Sequence, residues 1–189
     1  MQMNLPNKLT VFRVLLIPVF LVFMMAKELP NHYLWAALVF AAASFTDYLD
    51  GHIARKYHLV TDFGKFMDPL ADKLLVMSAM LCFVREDWAS LIGVIVILSR
   101  EFLVTSVRLI AASHGTVIAA DIWGKIKTVL QIIWVLYTLL VMWMECAGGT
   151  IPQPVYWGVV ILQALVVLTT VLSGWNYLWK NRSLLADMK

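Results

Sequence analysis

The sequence predicts an all-α integral membrane protein of six transmembrane helices, folded as one domain over residues 1–189. Three observations carry that prediction. Hydrophobic residues make up 61% of the chain against 14% charged, with a mean hydropathy of +0.80. A soluble domain of 189 residues could not hide so much apolar surface. Apolar stretches long enough to cross ~30 Å of hydrocarbon recur roughly six times. Basic residues, finally, gather in alternate links, as the distribution of charge across a membrane requires.

The first span runs from about Leu9 to Met25, and Lys27–Asn31, with its Glu and Pro, breaks it. Its apolar run carries Arg13 and lacks a small-residue cleavage site, so it reads as a retained span rather than a signal peptide. The second span, about Tyr33 to Arg55, carries Asp47 and Asp50 in its second half, and the polar link Lys56–Lys65 leads to a third at about Asp68–Val84. Pro69 suits the first turn of that third span. Arg85-Glu86-Asp87 forms a short turn before the fourth, about Trp88–Ala112, which contains Arg100, Glu101 and Arg108. The fifth covers about Lys125–Glu145. Gly148-Gly149 with Pro152 and Pro154 marks the next turn, and the sixth covers about Val155–Trp179.

Six spans put both ends on one side, which then collects Lys8, Arg55, Lys56, Lys65, Lys125, Lys127, Lys180, Arg182 and Lys189. The other side keeps Lys27 and Arg85, each beside an acid. Both termini are therefore predicted to be cytoplasmic. A net charge of +3 without dense basic clusters argues against a nucleic-acid partner. Cys82 and Cys146, the only cysteines, fit no metal-ligand spacing and read as small apolar fillers.

Against this lipid-adapted background, Asp47, Asp50, Asp68 and Asp72 fall within 26 residues, at the cytoplasmic end of span two and the start of span three. Burying one carboxylate in a bilayer costs at least ~3 kcal/mol, so four together require a compensating partner. Residues three and four apart share a helix face. Asp47, Asp50 and Ala54 thus share one face, and Asp68 and Asp72 another. Two carboxylates from each of two neighbouring helices make a box of hard oxygen donors suited to two divalent cations. Such paired ions neutralise a pyrophosphate and stabilise both oxygens of an in-line displacement. Gly51 and Ala54 lack bulk and admit a close approach, while Arg55 can fork onto phosphate oxygens.

The pattern Asp47-x2-Asp50-Gly51-x2-Ala54-Arg55-x8-Gly64-x3-Asp68-x3-Asp72 resembles the signature of the CDP-alcohol phosphotransferases, every motif position and gap being filled. The resemblance implies a six-helix membrane enzyme, a homodimer using Mg2+ or Mn2+. It would move a phosphate-bearing group from a CDP-linked donor to an alcohol and release CMP. It makes Asp47, Asp50 and Asp68 metal ligands, and Asp72 a ligand or the general base, so that Asp68 and Asp72 are the catalytic candidates. Gly51, Ala54, Arg55 and Gly64 would line the nucleotide and diphosphate.

The acceptor must be read from elsewhere. Arg100 and Arg108 lie eight residues apart, about 12 Å along one side of span four. Intramembrane arginines are functional candidates by default. Arg108 with Lys125 and Lys127, and Arg100 beside them, could form an anion pocket for a phosphorylated acceptor. The competing reading pairs Arg100 with Glu101 and lets the lysines snorkel to lipid headgroups. Three flanking features, Asn4-Leu-Pro6-Asn7-Lys-Leu9-Thr10-Val-Phe-Arg13, the Arg100-Glu101 pair with Arg108, and Gly124-Lys125-Ile-Lys127-Thr128, resemble the bacterial branch of the family. That branch joins CDP-diacylglycerol to glycerol 3-phosphate in the cytoplasmic (inner) membrane. By this likeness Asn4, Thr10 and Arg13 reach the nucleotide or seal the cytoplasmic mouth; a helix cap and an interfacial anchor are the plainer alternative.

His52, His58 and His114 lie in or near cytoplasmic links and His32 in an outer turn, without ligand spacing, and read as solvated. Trp35, Trp88, Trp157 and Trp179 sit near span ends, as an aromatic belt does. The reading is a phosphatidyl transfer from CDP-diacylglycerol to glycerol 3-phosphate. Its rivals are a sister enzyme taking inositol phosphate, serine or phosphatidylglycerol, and a cation or proton carrier. A carrier would spread its acids through the membrane depth, whereas these cluster near one face.

Overall fold

The computed structural model describes residues 5–56, 62–113 and 122–182, the side chains of 5–6, 48–56, 62–66, 68–69 and 113 apart. Among these the chain forms six helices: α1 Leu5–Met25, α2 His32–Lys56, α3 Asp62–Arg85, α4 Leu91–Ser113, α5 Ile122–Cys146 and α6 Gln153–Lys180. The helix count and order follow the apolar runs. By length and composition α1, α5 and α6 are apolar enough to cross a membrane. The other three carry the motif carboxylates with Arg100, Glu101 and Arg108, and those charges lower their hydropathy.

Two boundaries differ from the sequence reading. Helix α3 begins at Asp62 rather than near 68, so Pro69 falls inside the helix and not in its first turn. It forgoes a backbone hydrogen bond there, a loss that neighbouring helices can make good in an apolar bundle. Helix α4 begins at Leu91, because the segment before it is a turn: Asp87 adopts φ 61° and the Trp88 amide donates to the Phe83 carbonyl at 2.8 Å.

Helix α1 packs on α2 and α3, α5 on α2 and α6, and α4 on α6, while α3 meets α4 and α5 more lightly. The main core lies between α1, α2, α3 and α5. Phe20 and Phe40 pack with ring centroids 6.0 Å apart, and Phe83 meets Trp134 edge-on at 5.9 Å. Small residues such as Ala36, Ala43 and Ala79, all fully buried, let the backbones approach. Leucines, valines and tryptophans cover the outside, Trp35, Trp157 and Trp179 among them, each about half exposed. His32 corrects the sequence reading: it is 2% exposed, its Nδ1 lying 3.1 Å from the Phe23 carbonyl. The first residue of α2 is thereby tied back to α1. Cys82 and Cys146 are both free thiols.

Candidate active site

The charged ends of α1–α5 converge at one end of the bundle. Arg13 on α1 is completely buried, and its guanidinium meets the Asp47 carboxylate of α2 at 2.6 Å, with the Asp47 side chain 41% exposed. A buried guanidinium needs such a partner. Arg13 is thus no interfacial anchor; it is paired with the first carboxylate of the motif. Thr10, one turn earlier on the same face, is buried as well.

Asp72 on α3 is partly buried, and the charges of Asp47, Arg13, Lys127 and Glu101 all act on it. Asp47 and Asp72, from opposite ends of the motif, therefore share one electrostatic environment. Asp50, Gly51, Ala54, Arg55, Gly64 and Asp68 sit on the backbones of α2 and α3, but their side chains lie outside the described residues, as do Asn4, His58 and His114 altogether and the side chain of His52. Among the described residues no group of three or more metal-ligating side chains stands together.

Where α3 meets α4 and α5 lightly, the gap is a cavity of about 420 Å³. Asp72, Arg100, Arg108 and Lys125 all border it, joined by Lys73 and Glu101. Among the described residues four cations thus face two carboxylates, a surplus of two positive charges there. A second, much smaller space of about 20 Å³ lies between Asp72, Lys73, Glu101 and Lys127.

The cations are not equivalent. Glu101 Oε1 accepts from Arg100 and from Lys127, each at 2.8 Å. Lys127 is 2% exposed, so it neither snorkels to lipid nor opens on the larger cavity. The two sequence alternatives are each half realised: Arg100 pairs with Glu101, as the plainer reading had it, yet it also borders the cavity. Arg108 is exposed, its guanidinium 5.6 Å above the ring of Tyr177, which is itself buried. That is within cation–π range.

Sequence reasoning missed three contributors. Lys73 follows directly on the last motif aspartate, and its charge inside an apolar run was the available signal. Tyr177 and Gly174 lie on α6, whose pattern shows little beyond hydrophobicity. At Gly174 an added Cβ would come within 3.0 Å of Arg100 Cγ, so the glycine lets the arginine stem lie against α6.

Chemically, the site offers carboxylates for a cation or a proton beside a pocket suited to a small anion, as transfer to a phosphorylated alcohol needs. The family model for CDP-alcohol phosphatidyltransferase matches residues 3–175. A "CDP-diacylglycerol--glycerol-3-phosphate 3-phosphatidyltransferase" of Bacillus subtilis (strain 168) is 45% identical, over 94% of this chain and 95% of its own length. A protein of the same name from Rickettsia felis is 38% identical over 92% and 93% of the two chains, and one from Haemophilus influenzae is 38% identical over 70% and 74%. The motif carboxylates, the cation-rich cavity beside them and these matches lead to one conclusion: the chain belongs to the CDP-alcohol phosphatidyltransferase family.

Proposed function

We propose that this protein transfers the phosphatidyl group of CDP-diacylglycerol to glycerol 3-phosphate, giving phosphatidylglycerophosphate and CMP. One observation carries the reading: Asp72 borders the same cavity as Arg100, Arg108 and Lys125. A proton acceptor thus stands beside a pocket with a surplus of two positive charges, a match for a phosphate monoester dianion. A neutral alcohol would leave that surplus uncompensated.

The steps follow from the residues. Arg108 and Lys125 hold the acceptor phosphate, while Arg100, tied to Glu101, shapes the wall. This leaves the acceptor hydroxyl toward Asp72, which takes its proton as the oxygen attacks. The new bond forms to the phosphorus nearer the diacylglycerol. The bond from that phosphorus to the bridging oxygen breaks, and the electron pair leaves with CMP. Arg13 keeps Asp47 oriented throughout.

Asp47, Asp50, Asp68 and Asp72 are the residues that would hold divalent ions, Mg2+ or Mn2+. Carboxylates suit such hard cations, and the shared environment of Asp47 and Asp72 fits the role. Bound there, the cations supply charge neutralisation for the diphosphate. Gly51, Ala54, Arg55, Gly64, Asn4 and Thr10 are assigned to the nucleotide and diphosphate side.

All six helices cross the cytoplasmic membrane in this reading, with the site and both termini on the cytoplasmic face and two copies forming a dimer. The support is the concentration of basic residues on one side. The test is purified protein incubated with CDP-diacylglycerol, Mg2+ and separate alcohols, with CMP and lipid products measured. Glycerol 3-phosphate is expected to give product where inositol phosphate, serine and phosphatidylglycerol give little. Equal or better turnover with a neutral alcohol would overturn the acceptor assignment.

A further inference from the structure

Lys73 has so far counted only toward the charge of the cavity and has no contact assigned to it, yet it borders both the large cavity and the small space beside it. It projects from α3 directly after Asp72, and its ammonium donates to Thr105 Oγ1 on α4. The Thr105 hydroxyl spends its own proton on the Glu101 carbonyl at 2.7 Å. Its lone pairs are thus left for Lys73, and the contact can run in one direction only.

Three other cations nearby have compensation or support, while Lys125 is exposed to solvent at the start of α5. Arg100 and Lys127 share Glu101, and Arg108 lies over the Tyr177 ring. Lys73 is partly buried and, among the described residues, makes no direct ion pair, although Asp72 and Glu101 border the same spaces. An ammonium has three donors and Thr105 uses one. A half-buried ammonium whose one direct contact is a neutral hydroxyl has donors left for an anion entering the cavity.

We propose that Lys73 is a direct ligand of the acceptor's phosphate, presented to the cavity by the Thr105 hydroxyl. The inference rests on the acceptor reading above and deepens it. Lys73 closes the α3 side of a pocket whose other cations come from α4 and α5. It thereby places the acceptor phosphate within one residue of the proposed base, and couples acceptor capture to alignment of the hydroxyl.

The test separates acceptor from donor. Wild type, Lys73→Met and Thr105→Val are compared for KM toward glycerol 3-phosphate and toward CDP-diacylglycerol. Lys73→Met is expected to raise the first KM about tenfold or more, the scale of one lost charge-assisted contact, while the second stays within about twofold. Thr105→Val keeps the charge and removes only its rest, and is expected to raise the same KM about twofold to fivefold. It carries the test if Lys73→Met does not fold. An unchanged KM for glycerol 3-phosphate in the folded variants overturns the proposal. So does a rise confined to CDP-diacylglycerol, which would put Lys73 on the donor diphosphate. Failure of the functional reading is a different result: wild type itself would not release CMP in response to glycerol 3-phosphate.

Discussion

The two ends of the bundle solve opposite problems. Toward the end away from the site, shape does the work. Phe83 stands edge-on to Trp134, Phe20 tilts against Phe40, and tight turns at Asn31, Asp87 and Gly148 (φ 58°, 61° and 80°) bring each helix back. At the site end, three cations among the described residues are matched to specific acids: Arg13 to Asp47, and Arg100 with Lys127 to Glu101. Apolar packing tolerates a swap of similar volume. Compensated charge does not, because removing one partner leaves the other buried and alone. The site end should therefore be brittle in both rate and stability, and the other end in neither at its exposed polar contacts.

The largest effect falls where chemistry depends on one carboxylate. Asp72→Asn keeps the shape of the cavity wall and removes the proton acceptor. A loss of ~10²–10⁴ in the rate of CMP release is expected, with unchanged elution from gel filtration as evidence of folding. Retained activity would remove Asp72 from the reaction and with it the functional distinction between the two ends.

Next comes Glu101, which touches neither the proposed base nor the motif, yet carries two cations. Glu101→Gln leaves Arg100 and Lys127 without a counter-charge, and a cost of about 3–5 kcal/mol is expected. It would read as a clear fall in the thermal inactivation midpoint in detergent. Adding Lys127→Met should recover part of that fall, since one stranded charge is then gone. A double variant no more stable than the single one would mean that the two residues do not share their energy.

Much of this division is legible in the sequence. Apolar runs and their breaks mark all six helices, and the fixed spacing from Asp47 to Asp72 marks the carboxylate end. Arg108 and Lys125 are visible as charges where lipid-facing residues should be. What stays hidden depends on contacts between helices. That Lys127 belongs to Glu101, 26 residues away, follows from how α4 and α5 approach, and composition cannot report it. Tyr177 and Gly174 escape notice because a uniformly apolar α6 gives no periodic contrast to show which face meets Arg100 and Arg108. His32 reads as a solvated turn residue until the fold seats it under the Phe23 carbonyl. The early start of α3 is hidden by Pro69, whose preference for a first turn is overridden by the helix continuing through it.

The smallest effect is the most direct check on the contrast. Lys27 Nζ meets Glu86 Oε2 at 2.6 Å at the end away from the site, a shorter contact than the 2.8 Å pairs around Glu101. Distance alone would rank it as the stronger bridge. Its lysine, however, is 57% exposed against 3% for Lys127, so water already solvates most of what the bridge would contribute. An exposed pair contributes below about 1 kcal/mol. Lys27→Met should consequently leave the thermal inactivation midpoint almost unmoved and both KM values unchanged, while Lys127→Met lowers the midpoint because Glu101 and Arg100 lose a buried partner. If Lys27→Met proved as damaging as Lys127→Met, burial would not be what separates the two ends, and contact length would have to take its place.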